Sequence, residues 1–491
     1  MPKDFIEEFL SAATVQRLEM ARDSANAQVL ATYFGPEAFN EYRKIAAKWD
    51  SGHLGIRSPK NLIFVPGIMG SLLLSKTKGG VWWIDVRTRQ HINDLALAPD
   101  GLEDADPANQ IAAFSSDPTY EPFLTAVLAR DDFGHEVFPF DWRKPLRLSA
   151  DALRELVNRL YSENGNRPVH LVAHSMGGLV VRAALMAHGP ELWPRIGRIV
   201  FIGTPHYGSP AIAGYLKNHL WGFELLALLG LYLSRDTFRS LWGALSMLPA
   251  PSGIYPGTRP DDPSPWTFAP AGEDYQHPCA NFDLYRAESW ALDLTPSQTS
   301  DLQNVLNHTS EFHRQMNDAH QSLDQTLRDR MLVIAGVGYK TLFRLAYEPR
   351  FFGLWEKMAK ITDRIAADPH REGDGRVPLA SATLYSTPIR YVKGVHGGLP
   401  NIPAVYAAVF RWLKEEEVEL PATPHEALSG HLAPGEAESE TPHLDGTVKA
   451  RRFSDDAGLW EVAVPEPDRI DEMQTRLAAE QLSEFTRVRL L

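Results

Sequence analysis

A single cysteine, Cys279, stands among 491 residues. No internal disulfide can form, so the fold has to rest on packing rather than cross-links. Basic blocks are missing as well. With 49 Lys+Arg against 62 Asp+Glu the formal net charge is −13, which argues against nucleic acid as a partner. No apolar run reaches the roughly 20 residues needed to cross a bilayer. The start, Met1-Pro2-Lys3-Asp4-Phe5-Ile6-Glu7-Glu8, lacks the basic region and apolar core of a signal peptide. His, Asp and Glu are scattered without ligand spacing, so neither a metal nor an organic cofactor is expected. Cytoplasmic location is the expectation, with export by a route that needs no N-terminal signal as the alternative.

What is present is an ordinary globular composition, 44% hydrophobic and 23% charged, in a chain long enough for about three domain-sized units. Six short apolar runs read as core strands: Leu62–Val65, Glu136–Pro139, Val169–Ala173, Arg198–Ile202, Met331–Val337 and Pro388–Val392. Amphipathic stretches such as Ala150–Glu163 and Leu179–His188 lie between several of them. Strands alternating with helices imply an α/β fold, a mostly parallel sheet covered on both faces.

The third run drives straight into His174-Ser175-Met176-Gly177-Gly178, and a helical pattern follows at once. That is the strand–turn–helix setting of a nucleophile elbow, in which a sharp turn lifts a serine hydroxyl to the top of a sheet. Small-x-Ser-x-Gly alone would arise by chance roughly once in every few chains of this length. Its neighbours in the chain give it weight. Upstream, the first strand ends in Pro66-Gly67-Ile68-Met69-Gly70-Ser71, a loop suited to supply one oxyanion amide, with the other from the residue after the nucleophile. Those donors would be Ile68 and Met176. Downstream, Gly373-Asp374-Gly375 places an acid between two glycines, and Gly394-Val395-His396-Gly397-Gly398 sets a histidine just past a strand. The order Ser175, Asp374, His396 is the one that α/β-hydrolases use.

Several islands carry a family resemblance. They are Val65-Pro66-Gly67-Ile68-Met69-Gly70-Ser71, Trp83-Ile84-Asp85, Phe138-Pro139-Phe140-Asp141-Trp142-Arg143, Ala173-His174-Ser175-Met176-Gly177-Gly178, Gly203-Thr204-Pro205-His206-Tyr207-Gly208-Ser209 and Gly373-Asp374-Gly375-Arg376-Val377-Pro378. The chain resembles the lecithin:cholesterol acyltransferase and lysosomal phospholipase A2 family over about residues 60 to 415. Arg376 stands where that family more often has threonine. The resemblance implies an α/β-hydrolase fold with a largely helical cap or lid, and an acyl-enzyme reaction on lipid esters. It also implies that a tryptophan at Trp82 or Trp83 lines the acyl pocket; core packing is the other reading of this pair. Its secreted and lysosomal members carry disulfides, which this chain does not. Asp141 and Arg143 read as a structural pair bracing loops, and His206 as a surface or loop histidine.

The organisation expected is an N-terminal helical arm over 1–58 and a core over 59–209. A cap insertion over 210–330 comes next, then the rest of the core over 331–415 with an insertion at 342–370. An acidic linker over 416–447 and an appendage over 448–491 complete the chain. The appendage has a strand-like Leu459–Val464 and a helical Asp468–Thr486. Within the cap, Leu220–Leu233 is the most hydrophobic stretch in the chain. It is either a buried helix or a lid whose face, including Leu225 and Leu229, meets acyl chains or a lipid surface. The function expected is a serine-dependent hydrolase or O-acyltransferase acting on lipid esters. A carboxylesterase for soluble esters and a non-catalytic binding protein on the same fold are the alternatives. The oligomeric state is open.

Overall fold

The computed structural model describes residues 14–34, 60–83, 86–217, 233–256, 283–290, 292–339 and 373–429, with a few shorter pieces elsewhere. Its strands in chain order are β1 (Lys60–Val65), β2 (Ser71–Ser75), β3 (Val81–Trp83), β4 (Ile111–Ser116), β5 (Gly134–Val137), β6 (Val169–His174), β7 (Ile196–Ile202) and β8 (Met331–Val337). They are followed by β9 (Leu345–Tyr347), β10 (Ala359–Ile361), β11 (Ile389–Lys393), β12 (Ala450–Asp455) and β13 (Gly458–Ala463). Six of them form one sheet in the order β11-β8-β7-β6-β1-β5. Every pairing in that sheet is parallel. Each of the six runs read as a core strand is present, shifted by no more than a few residues at either end. β5 stops at Val137, two residues before Pro139, whose missing N–H could not extend a ladder.

Alternation along the strands splits the interior into two layers. Ile63, Val65, Leu171, Ala173, Ile199, Phe201, Val333 and Ala335 face one core. Leu62, Phe64, Val172, Val200, Ile202, Leu332 and Ile334 face the other. The first is covered by the helices Leu146–Glu163, Met176–Leu192 and Pro296–Gln321, the second by Glu121–Leu128 and Pro403–Leu413. Leu146, Ala150, Leu153, Val157 and Leu160 are buried at helical spacing, which explains why that segment lies flat on the sheet. Pro296–Gln321 begins with a full capping box, Thr295 with Gln298, and has Pro296 in its first turn. That chemistry satisfies orphan amides and fixes the start of a 26-residue helix.

Two features depart from the sequence expectations. A second, antiparallel sheet in the order β3-β2-β4 lies beside the main one and was not foreseen. The N-terminal arm packs on it through Phe9, Ala21 and Leu30 against Leu72 and Val81. Arg17 adds a buried ion pair to Glu121 at 2.7 Å. The stretch from 416 was expected to be a solvated linker, yet residues up to 429 pack on the sheet. Val418 and Leu420 are buried in the second core, the amide of Tyr391 donates to Pro421 O at 3.0 Å, and the helix Pro424–Ser429 lies against β11 and β8. This strap covers an edge strand that would otherwise present open backbone groups.

In the expected cap, the helices Pro210–Lys217, Arg235–Ser240 and Trp242–Leu245 are described. Leu225 and Leu229 lie outside the described residues, as do Phe351–Trp355 and Asp468–Thr486. Two hairpins, β9 with β10 and β12 with β13, are antiparallel. Among the described residues no helix is long and apolar enough to cross a membrane.

Buried imidazoles tie the fold to pH. Burial pushes His170, His313 and His320 each down to about 4. His170 also accepts the Arg198 amide on Nδ1, a bond that requires the neutral ring. An unfolded chain has these groups near 6.5. Between about pH 6.5 and 4 the unfolded state therefore binds more protons, so stability falls as pH drops through that window. Thermal melts at steps from pH 7.5 to 4.5 should show Tm decreasing steadily below about pH 6.5; a flat profile would contradict neutral burial of these rings.

Candidate active site

Ser175 sits at the joint between β6 and the helix Met176–Leu192 with φ 52° and ψ −127°. A side chain is strained in that region of backbone space and persists there only where surroundings enforce it. They do so here. The Ser175 amide donates to Ile202 O at 2.9 Å. Gly177 and Gly178 let the elbow approach its neighbours closely. A Cβ on Gly177 would lie 2.4 Å from the carbonyl oxygens of Val65 and Pro66, and one on Gly178 would lie 2.1 Å from Thr204 Oγ1.

His396 and Asp374 come from loops after β11 and β8, the two strands at the far side of the sheet. His396 Nε2 is 2.9 Å from Ser175 Oγ, and His396 Nδ1 is 2.7 Å from Asp374 Oδ2. The other carboxylate oxygen, Oδ1, accepts the amides of Arg376 at 3.0 Å and Val377 at 2.7 Å. The His396 amide donates to Asp374 O at 2.9 Å, tying the two loops together. Ser175 and Asp374 are buried, while the His396 side chain keeps 14% exposure. The imidazole edge is thus the part of this line that remains open to solvent. Gly203 at φ 57° leaves the space the pair needs, since a Cβ there would press on Asp374 Oδ2 and His396 Nδ1, each at 3.3 Å.

The loop after β1 lies against the elbow, and a Cβ on Gly67 would stand 2.9 Å from Ser175 Cβ. The Gly67 amide is engaged by Tyr120 Oη at 3.0 Å. Among the described residues the amides of Ile68 and Met176 take no hydrogen bond. Two indoles hold this loop. Trp83 Nε1 donates to Met69 O at 3.0 Å, and Trp142 Nε1 donates to Ser71 O at 3.2 Å. Trp82 and Trp83 are both buried in the first core. Trp82 stacks on His91 at 4.4 Å, and Trp83 meets Trp142 edge to face at 5.2 Å.

Arg143 is fully buried and pairs with Asp141 at 2.7 Å and Asp104 at 2.9 Å, while also donating to Leu95 O. It braces loops, as the sequence suggested for the Asp141–Arg143 pair. His206 lies in a turn, the loop alternative of the two expected, and not at the surface: it is 1% exposed and packed edge to face on Phe201 at 5.0 Å. Burial, with Arg182 nearby, holds its pKa well below the usual imidazole value. Its island supports the acid loop. Ser209 Oγ donates to Arg376 O at 2.7 Å, and the Ser209 amide donates to Met247 O at 2.8 Å. Two residues in contact with the site, Tyr120 and His174, were not singled out from sequence. Among the described residues no cluster of three or more His, Cys, Asp or Glu could hold a metal ion.

The arrangement joins a hydroxyl, an imidazole and a carboxylate in one hydrogen-bonded line. Such a line can pass a proton from an attacking oxygen to a leaving oxygen.

Residues 135–257 match the family model described as lecithin:cholesterol acyltransferase. An uncharacterized protein of Saccharomyces cerevisiae, YJR098C, is 24% identical over 166 residues, which cover 32% of this chain and 24% of the yeast protein. The chain therefore spans about a quarter of the length of that curated relative. Among solved structures, a chain of the Tle4–Tli4 complex is similar with a TM-score of 0.48 and 16% identity, covering 72% of this chain and 99% of that one. The Bacillus licheniformis lipase BlEst2 in its mature form is similar with a TM-score of 0.33 and 14% identity, covering 73% of this chain and 93% of the lipase.

Proposed function

We propose that this chain, an LCAT-like α/β-hydrolase by its matched segment and its sheet topology, is a serine-dependent hydrolase or O-acyltransferase of lipid esters. The observation that carries this reading is the continuous line from Ser175 Oγ through His396 to Asp374, at 2.9 and 2.7 Å. In the proposed reaction His396 Nε2 takes the proton of Ser175 as Oγ attacks the ester carbonyl. The amides of Ile68 and Met176 receive the oxyanion. The imidazolium then protonates the departing alcohol, leaving an acyl-enzyme. Asp374 keeps the imidazole in the tautomer whose Nε2 can accept, and stabilises its charged form. Water or a second alcohol, activated by the same imidazole, takes the acyl group from Ser175. The family match supports lipid over soluble esters, and contact of the cap with a lipid surface belongs to the same reading.

A chain-length series of p-nitrophenyl esters, run with and without phosphatidylcholine vesicles, tests the substrate class. The proposal expects kcat/KM to rise by about tenfold or more from acetyl to decanoyl, in line with the free energy of burying several methylenes. It also expects lipid mass spectrometry to detect fatty acid or transferred acyl product from the vesicles. Activity confined to acetyl and propionyl esters would contradict the lipid reading.

A further inference from the structure

Tyr120 and His174 are buried beside the site and touch both the loop after β1 and the loop that carries His396. Tyr120 ends a short turn before the helix Glu121–Leu128 and is buried in the second core. Its ring packs edge to face on Phe64 at 4.9 Å, and its hydroxyl is seated against the backbone of Gly67 and Gly70. A Cβ on Gly70 would stand 2.7 Å from Tyr120 Oη. That hydroxyl accepts the Gly67 amide at 3.0 Å and lies 2.9 Å from His174 Nδ1. His174 Nε2 in turn lies 3.0 Å from the backbone carbonyl of His396.

The direction of every proton in this chain follows from the chemistry of its ends. The His396 carbonyl can only accept, so His174 carries its proton on Nε2. Burial, with His396 beside it, holds the His174 pKa well below the usual value, so the ring is neutral and its Nδ1 is an acceptor. Tyr120 must then donate its hydroxyl proton to Nδ1, and burial keeps that phenol protonated. Its oxygen is left free to accept from Gly67. We propose that Tyr120 and His174 are positioning residues for this site. Their ordered bonds fix the loop that bears the Ile68 amide in register with the loop that bears the His396 imidazole. A third link runs the same way, since Asn401 Nδ2 donates to Thr119 O at 2.7 Å, joining the turn that starts at His396 to the residue before Tyr120.

The consequence is a division of labour between neighbouring amides. Gly67 gives its N–H to Tyr120 and its carbonyl accepts the Gly70 amide at 3.1 Å, so that among the described residues Ile68, not Gly67, keeps an unengaged donor. The neutral state of His174 matters equally. Its ring centroid is 4.9 Å from that of His396, and a second positive charge there would oppose formation of the imidazolium that the proposed reaction requires. The inference rests on the proposed acyl-enzyme reaction but adds two residues that neither touch substrate nor exchange a proton with it.

The test is Tyr120→Phe, which deletes one oxygen and leaves the ring packing in place. Turnover of the best p-nitrophenyl ester should fall about ten- to a hundredfold in kcat, as expected when reacting groups are displaced without being removed. KM should stay within about twofold, since ground-state binding is untouched. A purely structural role would instead lower the folded fraction and leave kcat per folded molecule near the wild-type value. A second measurement does not depend on Tyr120→Phe folding. Long-range 1H–15N spectra of histidine-labelled wild type should show several buried imidazoles in the neutral Nε2–H tautomer from pH 5 to 9, among them His170, His313 and His320 by their bonds, and one more that is assigned to His174 by its loss from the spectrum of folded His174→Gln. An Nδ1–H tautomer at His174, or Tyr120→Phe with full kcat while Ser175→Ala is inactive, would overturn the positioning role alone. Full turnover in Ser175→Ala would overturn the reaction on which it rests.

Discussion

Ser175→Ala should lose about 10⁴–10⁶ in kcat/KM on any ester the wild type turns over, the range seen when the nucleophile of a serine triad is removed. That corresponds to about 5–8 kcal/mol of transition-state stabilisation. The loss should come without unfolding. The backbone at residue 175 is already at φ 52°, and alanine meets the same steric penalty there as serine. The backbone bonds of the elbow, from the Ser175 amide to Ile202 O and from the Gly178 amide to Ser175 O, do not involve the hydroxyl. What disappears is the 2.9 Å contact with His396 Nε2 and the only oxygen that contact could activate. Steady-state kinetics with a thermal melt of the same preparation checks both halves. Residual turnover within about tenfold of wild type would mean that another group performs the attack.

Asp374→Asn should be nearly as damaging, about 10⁴ in kcat, for a different reason. Asp374 Oδ1 accepts two amides, from Arg376 and Val377. An asparagine can keep its carbonyl oxygen on those donors, which fixes the orientation of the rest of the group. Its NH₂ then faces His396 Nδ1 where Oδ2 stood at 2.7 Å. A donor there forces Nδ1 to accept, moves the imidazole proton to Nε2, and leaves nothing to receive the proton of Ser175. The loop itself should hold, because its backbone bonds, including the one from the His396 amide to Asp374 O, are retained. Kinetics would therefore report a loss in kcat with little change in KM or melting temperature. A loss of less than about tenfold would mean that the carboxylate does not set the tautomer.

Sequence pattern reached some of this structure and missed the rest, for physical reasons. Ser175, Asp374 and His396 could be singled out because each needs special backbone chemistry, and glycines mark all three places. The six core strands were legible because a parallel sheet buried on both faces requires continuous apolar runs. β2 and β3 were missed because Leu72-Leu73-Leu74 and Val81-Trp82-Trp83 are short and lack alternation. The strap over 416–429 was misread because a few apolar residues, Val418 and Leu420, hold it in a polar context. The burial of His206 was illegible for a related reason. A histidine after Thr-Pro reads as loop chemistry, which it is, and only the tertiary fold packs it on Phe201 beside Arg182. Tyr120 left no local signal at all, since its role depends on His174 and Gly67, each more than fifty residues away in the chain. The Trp83 indole was a similar case. Both readings of it concerned its ring, whereas its Nε1–H holds the Met69 carbonyl.

Covalent capture of the nucleophile tests the central claim most directly. Incubation with a fluorophosphonate, followed by intact-mass and peptide mass spectrometry, should place one phosphonyl group on the peptide containing Ser175. The adduct should be absent in Ser175→Ala and slow to form in Asp374→Asn. A phosphonyl group on a different residue, or no adduct from a preparation that still hydrolyses esters, would contradict the account.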